Sequence, residues 1–181
     1  IKVIWNLLVN RKIIMKKFKK ELLAEFIKTA FYFALSGGVY YLIELIWKQH
    51  SDTSMFLIGG IIGTMCYMVN NIFTYNFDFL AQVSICTIIT TIFEGVIGNI
   101  VNTDFSIWDY RKMPFGNFWN DQCNVIFVGV WFFLITIFIP LYDYVDYKLF
   151  DYLPDTPPYY MIFGKKVFQF KKRCHCECHK D

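Results

Sequence analysis

Acidic side chains inside apolar stretches are the residues of this chain with the clearest capacity for chemistry. Glu94 lies well inside one such stretch, and Glu44 lies near the end of another. A carboxylate in lipid is energetically expensive, and it is commonly retained to bind a proton, an ion or a polar substrate. It can also be a neutral, hydrogen-bonded part of a helix bundle. The two acids therefore define a candidate polar site without naming its ligand.

Small polar residues accompany Glu94 at helical spacing. They recur every three or four positions on one side of the expected helix, at Ser84, Thr87, Thr91, Glu94 and Gly98, with Thr90 and Asn99 flanking them. A polar stripe on a membrane-spanning helix must face other helices or water. Serine and threonine hydroxyls also bond to carbonyl groups of their own helix, which would make the stripe structural. Both interpretations stay open.

The composition indicates that membrane helices hold these acids. Of the 181 residues, 56% are hydrophobic, 20% aromatic and only 18% charged, and the mean hydropathy is +0.37, which is rare for a soluble domain of this size. A bilayer core needs roughly 20 apolar residues per helix, and four stretches qualify: 26–47, 55–73, 79–101 and 125–145. We predict an all-α, polytopic membrane protein, with a four-helix transmembrane domain over residues 26–147 and a long outer loop between its third and fourth helices.

Basic residues predict the orientation. Arg11, Lys12 and four lysines between positions 16 and 20 precede the first span, and six more basic residues follow the fourth, at Lys148, Lys165, Lys166, Lys171, Lys172 and Arg173. The positive-inside rule places both ends in the cytoplasm of a cell membrane. The loop 102–124 then faces outward. Counted at 1.5 Å per residue, Glu44 and Glu94 both fall in the outer third of the membrane.

The two ends of the chain are predicted to be basic segments. Residues 1–25 form the first, in which Met15 opens a run typical of the start of a membrane protein, so residues 1–14 either precede the true start or form a short surface helix. Residues 148–181 form the second, which ends in Cys174, His175, Cys176, Cys178 and His179. Thiolate and imidazole suit a soft metal, although the spacing is poor for structural zinc. The alternative is an unstructured tail, and no other cofactor is expected.

The outer loop contains the densest motif of the chain. Trp108, Asp109 and Tyr110 come directly before Arg111 and Lys112. The tryptophan can anchor the loop at the lipid headgroups, and Asp109 can pair with either neighbouring cation. A loop of about 23 residues in so compact a protein is more often functional than idle.

A resemblance to a known family extends over residues 30–150. It rests on Tyr40, Tyr41, Ile43, Glu44, Trp47 and Lys48, on Ser54, Met55, Gly59 and Gly60, on Thr90, Glu94, Gly98 and Asn99, on Trp108, Asp109, Tyr110 and Pro114, and on Asn117, Gln122, Cys123 and Trp131. This succession resembles the ABC-transporter type IV, or CmpB-like, permease family of bacterial membrane proteins. The resemblance implies fold and location more firmly than chemistry. Arg111 and Asp121 stand where the family commonly has serine and glycine.

The first functional hypothesis is a permease or transporter subunit. Glu44, Glu94 and Asp109 would form an outward-facing cation or substrate site, with Thr91 and Asn99 as neutral ligands and Trp108 beside them. The sequence contains no phosphate-binding G-x-x-x-x-G-K-[ST] motif, so energy would come from a gradient or a separate ATPase subunit. Because four helices rarely enclose a pathway alone, we expect a homo-oligomer or a partner membrane protein.

The second hypothesis is a non-transporting membrane protein. It would be an assembly, pore-forming or envelope-associated protein whose buried acids are structural. A membrane-embedded hydrolase that uses Glu94 and Asp109 as acid and base ranks last, because no nucleophile or metal ligands accompany them. We therefore expect neither an enzyme nor a nucleic-acid-binding protein.

Overall fold

The computed structural model describes residues 2–149 and 157–171, and this part of the chain is mainly helical. Its helices are α1 (Lys2–Lys48), α2 (Thr53–Ile72), α3 (Phe79–Val101) and α4 (Val125–Leu149). Its strands are the two-residue β1 (Asn117–Phe118) and β2 (Cys123–Asn124), then β3 (Tyr159–Ile162) and β4 (Lys165–Gln169). Each helix contains a segment long and apolar enough to cross a membrane. The predicted polytopic four-helix fold is confirmed.

Successive helices run in opposite directions, which gives the bundle two distinct ends. We call the end that carries residues 49–52 and 102–124 the loop end. There, the Lys48 ammonium donates to the carbonyl of Ile107 at 3.3 Å. We call the end that carries residues 73–78 and 157–171 the hairpin end. There, the backbone N–H of Phe163 donates to the Asp78 carboxylate at 2.6 Å.

Aspartates fix the starts of α2 and α3. Asp52 precedes α2, and its carboxylate accepts from the N–H of Ser54 at 2.8 Å. Asp78 does the same for α3 through the N–H of Ala81 at 3.2 Å. These contacts satisfy backbone donors that have no partner inside the helix. The bounds of α3 match the predicted span, whereas α2 begins two residues earlier than predicted.

The length of α1 is the largest departure from the predicted spans. At 47 residues it is roughly 70 Å long, more than twice the thickness of a bilayer core. No proline or glycine interrupts residues 2–36, so nothing in the local sequence ends the helix before the span begins. Residues 2–14 therefore continue α1 and do not form a separate surface helix.

Glycines bring α1 and α2 into close contact. A Cβ atom added at Gly63 would lie 1.9 Å from Oγ of Ser36, and one at Gly59 would lie 2.6 Å from Cβ of Tyr40. Only residues without a side chain permit such an approach, as expected for a G-x-x-x-G pair. α2 also contacts α3 and α4, and the core between them is formed by Tyr32, Ile58, Ile62, Cys66, Val83, Ile135 and Ile139.

A β-hairpin follows α4 where the sequence predicted only a basic tail. β3 and β4 pair antiparallel, with an irregularity between Tyr160 and Met161. The turn between them places Phe163 and Gly164 at φ 48° and 73°. Tyr160 is buried and packs on Phe79 with ring centroids 4.9 Å apart. The hairpin therefore closes one end of the bundle. The predicted metal-binding cluster at Cys174, His175, Cys176, Cys178 and His179 lies outside the described residues.

Candidate functional site

Glu94 is the most distinctive acid of the bundle. α3 places it on a buried face near the loop end, with 6% of its surface exposed. One carboxylate oxygen, Oε1, accepts a hydrogen bond from the hydroxyl of Tyr110 at 2.7 Å. The other oxygen, Oε2, is buried and has no hydrogen-bond partner among the described residues. Leaving a buried acceptor unpaired is costly, so this oxygen is where a proton or a ligand would gain most.

Two further unpartnered polar atoms lie around Glu94. The Thr90 hydroxyl is one turn earlier on α3 and fully buried, and it makes no hydrogen bond within the described residues. The Trp131 indole N–H, from α4, interacts with the carboxylate but lacks the geometry of a hydrogen bond. Buried polar groups are nearly always paired. A proton or a bound polar ligand at Oε2 would lower the cost of leaving this oxygen unpaired.

Tyr40 connects this region with the second predicted acid. Its ring, from α1, packs on Trp131 with centroids 5.5 Å apart. Tyr40 also lies within electrostatic range of both Glu44 and Glu94. No hydrogen bond or ion pair joins the two acids among the described residues, so they share a neighbourhood without direct contact. We call Tyr40, Thr90, Glu94, Tyr110 and Trp131 the loop-end site.

Glu44, unlike Glu94, has a partner for each oxygen. Lys48 donates to Oε1 at 2.8 Å, and Ser51 donates to Oε2 at 3.1 Å. Because Lys48 also bonds the Ile107 carbonyl, this ion pair ties the end of α1 to the segment 102–124. A polar cavity of about 150 Å³ adjoins the pair, and it is lined by Glu44, His50, Ser51, Asp52, Ser106 and Ile107.

Asn102 organises the segment that follows α3. It is fully buried, and its amide donates to the Trp108 carbonyl at 2.7 Å and to Oε1 of Gln122 at 2.9 Å. Its side-chain oxygen accepts from the N–H of Ile107 at 2.9 Å. The Trp108 indole donates to the Gln122 carbonyl at 3.1 Å. Trp108 is therefore a buried member of this internal network.

Two asparagines hold Tyr110 over Glu94. The amide of Asn117 donates to the Tyr110 carbonyl at 2.7 Å, and the amide of Asn124 donates to Asn117 at 2.5 Å. Asn124 also accepts from the N–H of Ile126 at 2.8 Å, at the start of α4. Burial and the nearby Glu94 carboxylate raise the pKa of the Tyr110 hydroxyl above its usual range, which keeps it protonated and able to donate.

Thr91 and Asn99, also predicted for the site, make bonds elsewhere. The Thr91 hydroxyl donates to the Thr87 carbonyl of its own helix at 2.9 Å. Asn99 donates to the Gly95 carbonyl at 2.7 Å and accepts from Asn120 at 2.7 Å. Along the described chain, no hydrogen bond links either side chain to Glu94.

Asp109 forms an ion pair at the surface. The Arg111 guanidinium donates to both of its oxygens, at 2.8 Å and 2.9 Å. The hydrogen bond from this cation lowers the pKa of Asp109 to about 2. No ion pair or hydrogen bond connects Asp109 with Glu94 or Glu44 in the part of the chain that the structure describes. The acid and base pairing considered for a hydrolase therefore gains no support from this geometry.

A second group of buried polar residues, which the sequence analysis missed, lies at the hairpin end. Lys28 of α1 is only 5% exposed. Its ammonium lies 3.2 Å from Oδ1 of Asp146 and 3.7 Å from Oε1 of Glu25. The hydroxyl of Tyr67 donates to the other oxygen of Glu25 at 3.2 Å. The buried cation thus lies between two carboxylates from different helices.

Asp143 completes this group. The amide of Asn70 donates to its Oδ2 atom at 2.5 Å, and the hydroxyl of Tyr160 donates to the same oxygen. We call Glu25, Lys28, Tyr67, Asn70, Asp143, Asp146 and Tyr160 the hairpin-end cluster. Lys28 and Asp143 both lie inside predicted spans, so the rule that drew attention to Glu94 could have found them. The role of Tyr160 had no signal in the sequence.

The fold and the site together define a multi-pass membrane protein. Near one end of its helix bundle lies a buried carboxylate, Glu94, that accepts a hydrogen bond from Tyr110. No protein-family model, curated protein or solved structure matches the chain. The similarity to the CmpB-like permease family therefore stays a prediction from the residues quoted above.

Proposed function

We propose that this protein is a subunit of a membrane permease or transporter in which Glu94 takes up a proton or a small cation. The observation that carries this proposal is the unpartnered Oε2 atom of Glu94. It is buried, the indole N–H of Trp131 interacts with the carboxylate without the geometry of a hydrogen bond, and the equally unpartnered hydroxyl of Thr90 lies one turn earlier on α3. Ionisable residues with such surroundings inside membrane proteins commonly lie on ion or substrate pathways.

Tyr110 has a distinct part in this proposal. It donates to Oε1 of Glu94 at 2.7 Å and so holds that oxygen in place. The other oxygen, Oε2, is then the one that would bind and release a proton or a cation. A ligand that arrives from the loop end passes the segment 102–124, which carries Tyr110. Movement of this segment would therefore control access to the carboxylate.

The proposed orientation follows from the basic residues. The ion pair between Lys28 and Asp146 brings α1 and α4 together at the hairpin end. The hairpin end also carries four more lysines, at Lys148, Lys165, Lys166 and Lys171. We infer by the positive-inside rule that it faces the cytoplasm of a cell membrane. Glu94 then belongs to the outward half of the bundle.

Further subunits are part of the proposal. The resemblance to CmpB-like permeases and the small number of helices favour a homo-oligomer or a partner membrane protein. An ion gradient or a separate ATPase would supply the energy.

Replacement of Glu94 by glutamine tests the proposal. The purified chain is reconstituted in liposomes that contain a pH-sensitive dye, and proton flux is followed after a step in external pH, with Na⁺ or K⁺ as the only other cation. We expect Glu94→Gln to lower the flux at least tenfold while the thermal unfolding temperature stays within a few degrees. The matched control is Glu21→Gln, because Glu21 is an exposed acid whose ion pair to Lys17 is 3.9 Å long. Equal flux in Glu94→Gln and the unchanged chain would refute a role for this carboxylate.

The second candidate is a non-transporting membrane protein that uses its acids to hold the bundle together. It is favoured by the complete pairing of Glu44 with Lys48 and Ser51 and of Asp109 with Arg111. In this case Glu94→Gln should change thermal stability while the liposomes show no flux above protein-free controls.

A further inference from the structure

An apolar groove lies at the hairpin end, away from the loop-end site. It is a shallow, open depression of about 350 Å³ between α4 and the hairpin segment, and it is lined by Pro140, Leu141, Tyr144, Phe168 and Phe170. The rings of Tyr144 and Phe170 are 5.3 Å apart, so the helix and the hairpin contribute one aromatic wall. Leu141 and Phe168 are both exposed. The hairpin therefore adds a second side to what would otherwise be a plain helix surface.

The position of the groove along α4 corresponds to the boundary between acyl chains and headgroups. Measured from Val125 at 1.5 Å per residue, Pro140 lies at roughly 22 Å, Tyr144 at roughly 28 Å and Lys148 at roughly 34 Å. A bilayer core is roughly 30 Å thick. Pro140 and Leu141 therefore lie at the depth of acyl chains, Tyr144 lies at the interface, and Lys148 lies at the depth of phosphates.

One lysine lies near the headgroup end of the groove, and a second lysine is adjacent in sequence to a residue that lines it. The ammonium of Lys148 lies 6.0 Å from the centroid of the Tyr144 ring, and Lys171 directly follows Phe170. Both lysines are exposed. Among the ion pairs of the described residues, neither lysine has a carboxylate partner. The groove thus combines an apolar lining with the ammonium of Lys148 beside its aromatic wall.

We propose that this groove binds an anionic phospholipid. One acyl chain lies against Pro140, Leu141 and Phe168, and the phosphate lies between Lys148 and Lys171. An apolar groove at acyl depth with cations at phosphate depth matches both parts of such a lipid. This binding does not depend on transport through Glu94. A protein segment is the competing occupant, and the experiment separates the two.

Native mass spectrometry of the full chain in detergent tests the proposal. The protein is titrated with phosphatidylglycerol or with phosphatidylcholine of identical acyl chains. We expect tighter binding of phosphatidylglycerol. Replacing both lysines, Lys148→Gln with Lys171→Gln, should weaken that binding about tenfold, because each lysine near a lipid surface contributes roughly a fivefold preference and exposure reduces the sum. Binding of phosphatidylcholine should change little.

Two control variants complete the experiment. Lys112→Gln removes an exposed lysine at the loop end, and it should leave both affinities unchanged. Leu141→Trp fills the groove, and it should weaken both lipids alike; if it fails to fold, the lysine variants alone decide. The proposal is wrong if the two lipids bind equally, if Lys112→Gln has the same effect as the double variant, or if a co-purified protein occupies the groove and the lysine variants leave lipid binding unchanged.

Discussion

The hairpin-end cluster and Glu94 at the loop end both involve buried carboxylates, but these acids have different partners. At the hairpin end, Asp146 lies 3.2 Å from the Lys28 ammonium, and Asp143 accepts hydrogen bonds from Asn70 and Tyr160. At the loop end, Glu94 has a single donor, Tyr110, and its second oxygen has none among the described residues. Burial alone therefore does not mark a functional acid in this protein. The two groups differ in the charge beside them, because Lys28 lies next to Asp146 and Glu25, whereas Glu94 takes part in no ion pair of the described residues.

The physical reason is the cost of desolvation. A buried charge loses its water, and only an opposite charge or several hydrogen bonds compensate for this loss. The hairpin-end cluster supplies such partners from α1, α2, α4 and β3, which is the arrangement expected of a structural connection. The loop-end site leaves part of the cost uncompensated, as expected where an exchangeable ligand or proton completes the site.

The largest effect is expected from the buried cation of the hairpin-end cluster. Lys28→Met leaves Asp146 buried without its cation, and breaking a buried pair in this way costs about 3–5 kcal/mol. The control, Lys17→Met, removes a cation from an exposed pair with Glu21 and should cost less than about 0.5 kcal/mol. Denaturant unfolding in detergent micelles measures both. Similar small losses in the two variants would show that the hairpin-end cluster does not hold the bundle together.

The next largest loss of stability is expected from overpacking between α1 and α2. In Gly63→Ala the new Cβ would lie 1.9 Å from Ser36 Oγ, which is hydrogen-bonded to Tyr142. This overpacking between two helices should destabilise the protein by about 2 kcal/mol. Unfolding is measured as before.

Two glycines provide the matched comparison for Gly63→Ala. In Gly95→Ala the Cβ would meet the ring of Trp119 at 2.4 Å, but this ring is 42% exposed and can turn aside, so we expect a loss of less than about 1 kcal/mol. Gly38→Ala meets no heavy atom within 4 Å and should not destabilise. Equal losses at Gly63 and Gly95 would show that the Trp119 ring does not turn aside.

Two tyrosine substitutions compare the acids directly. Tyr160→Phe removes one donor from Asp143 but leaves Asn70 in place, so we expect a loss of about 1 kcal/mol. Tyr110→Phe removes the one hydrogen bond that Glu94 makes to the described residues, and we expect about 1–2 kcal/mol. Only Tyr110→Phe should alter flux in the liposome assay. If Tyr160→Phe reduces flux equally, the assignment of function to the loop end is wrong.

The smallest effect is expected at the surface ion pair of the loop end. Because Arg111 holds the pKa of Asp109 at about 2, below its ordinary value of 3.8, the ionised carboxylate stabilises the folded state. This contribution is present above pH 3.8 and is lost as the pH falls through about 2. Arg111→Gln should raise the pKa of Asp109 towards the ordinary value, and NMR titration of the carboxyl carbon measures the shift. The flux at neutral pH should not change. An unaltered pKa would mean that Arg111 is not the cause.

Local sequence was sufficient to predict that the four transmembrane helices exist, but not to predict where each of them begins and ends. α3 begins and ends as predicted because it is apolar on average along its whole length and Asp78 caps its start. α1 begins far before the predicted span, since hydropathy detects where a helix enters lipid and not where a polar helix continues beyond it. The hairpin of β3 and β4 was missed because its two short strands lack regular alternation.

For the candidate site, the sequence located the acid but not its surroundings. Glu94 could be found because an isolated acid in an apolar helix is visible within a short window of sequence. Thr91 and Asn99 share its helix, but their bonds go to carbonyl groups one turn away. Asp143 was missed although it lies within a predicted span, because it is close to the end of that span and its partner Tyr160 lies where the sequence predicted only a basic tail.

By itself, the sequence determined that the chain forms four membrane-spanning helices and that one of them carries a carboxylate into the bilayer, because hydropathy is a sum over neighbouring residues. Only the tertiary structure decided which side chains each carboxylate meets. Tyr110 reaches Glu94 from 16 positions along the chain, and Tyr160 reaches Asp143 from 17. Such contacts depend on how the segments beyond the helices fold back, which no local pattern of residues encodes.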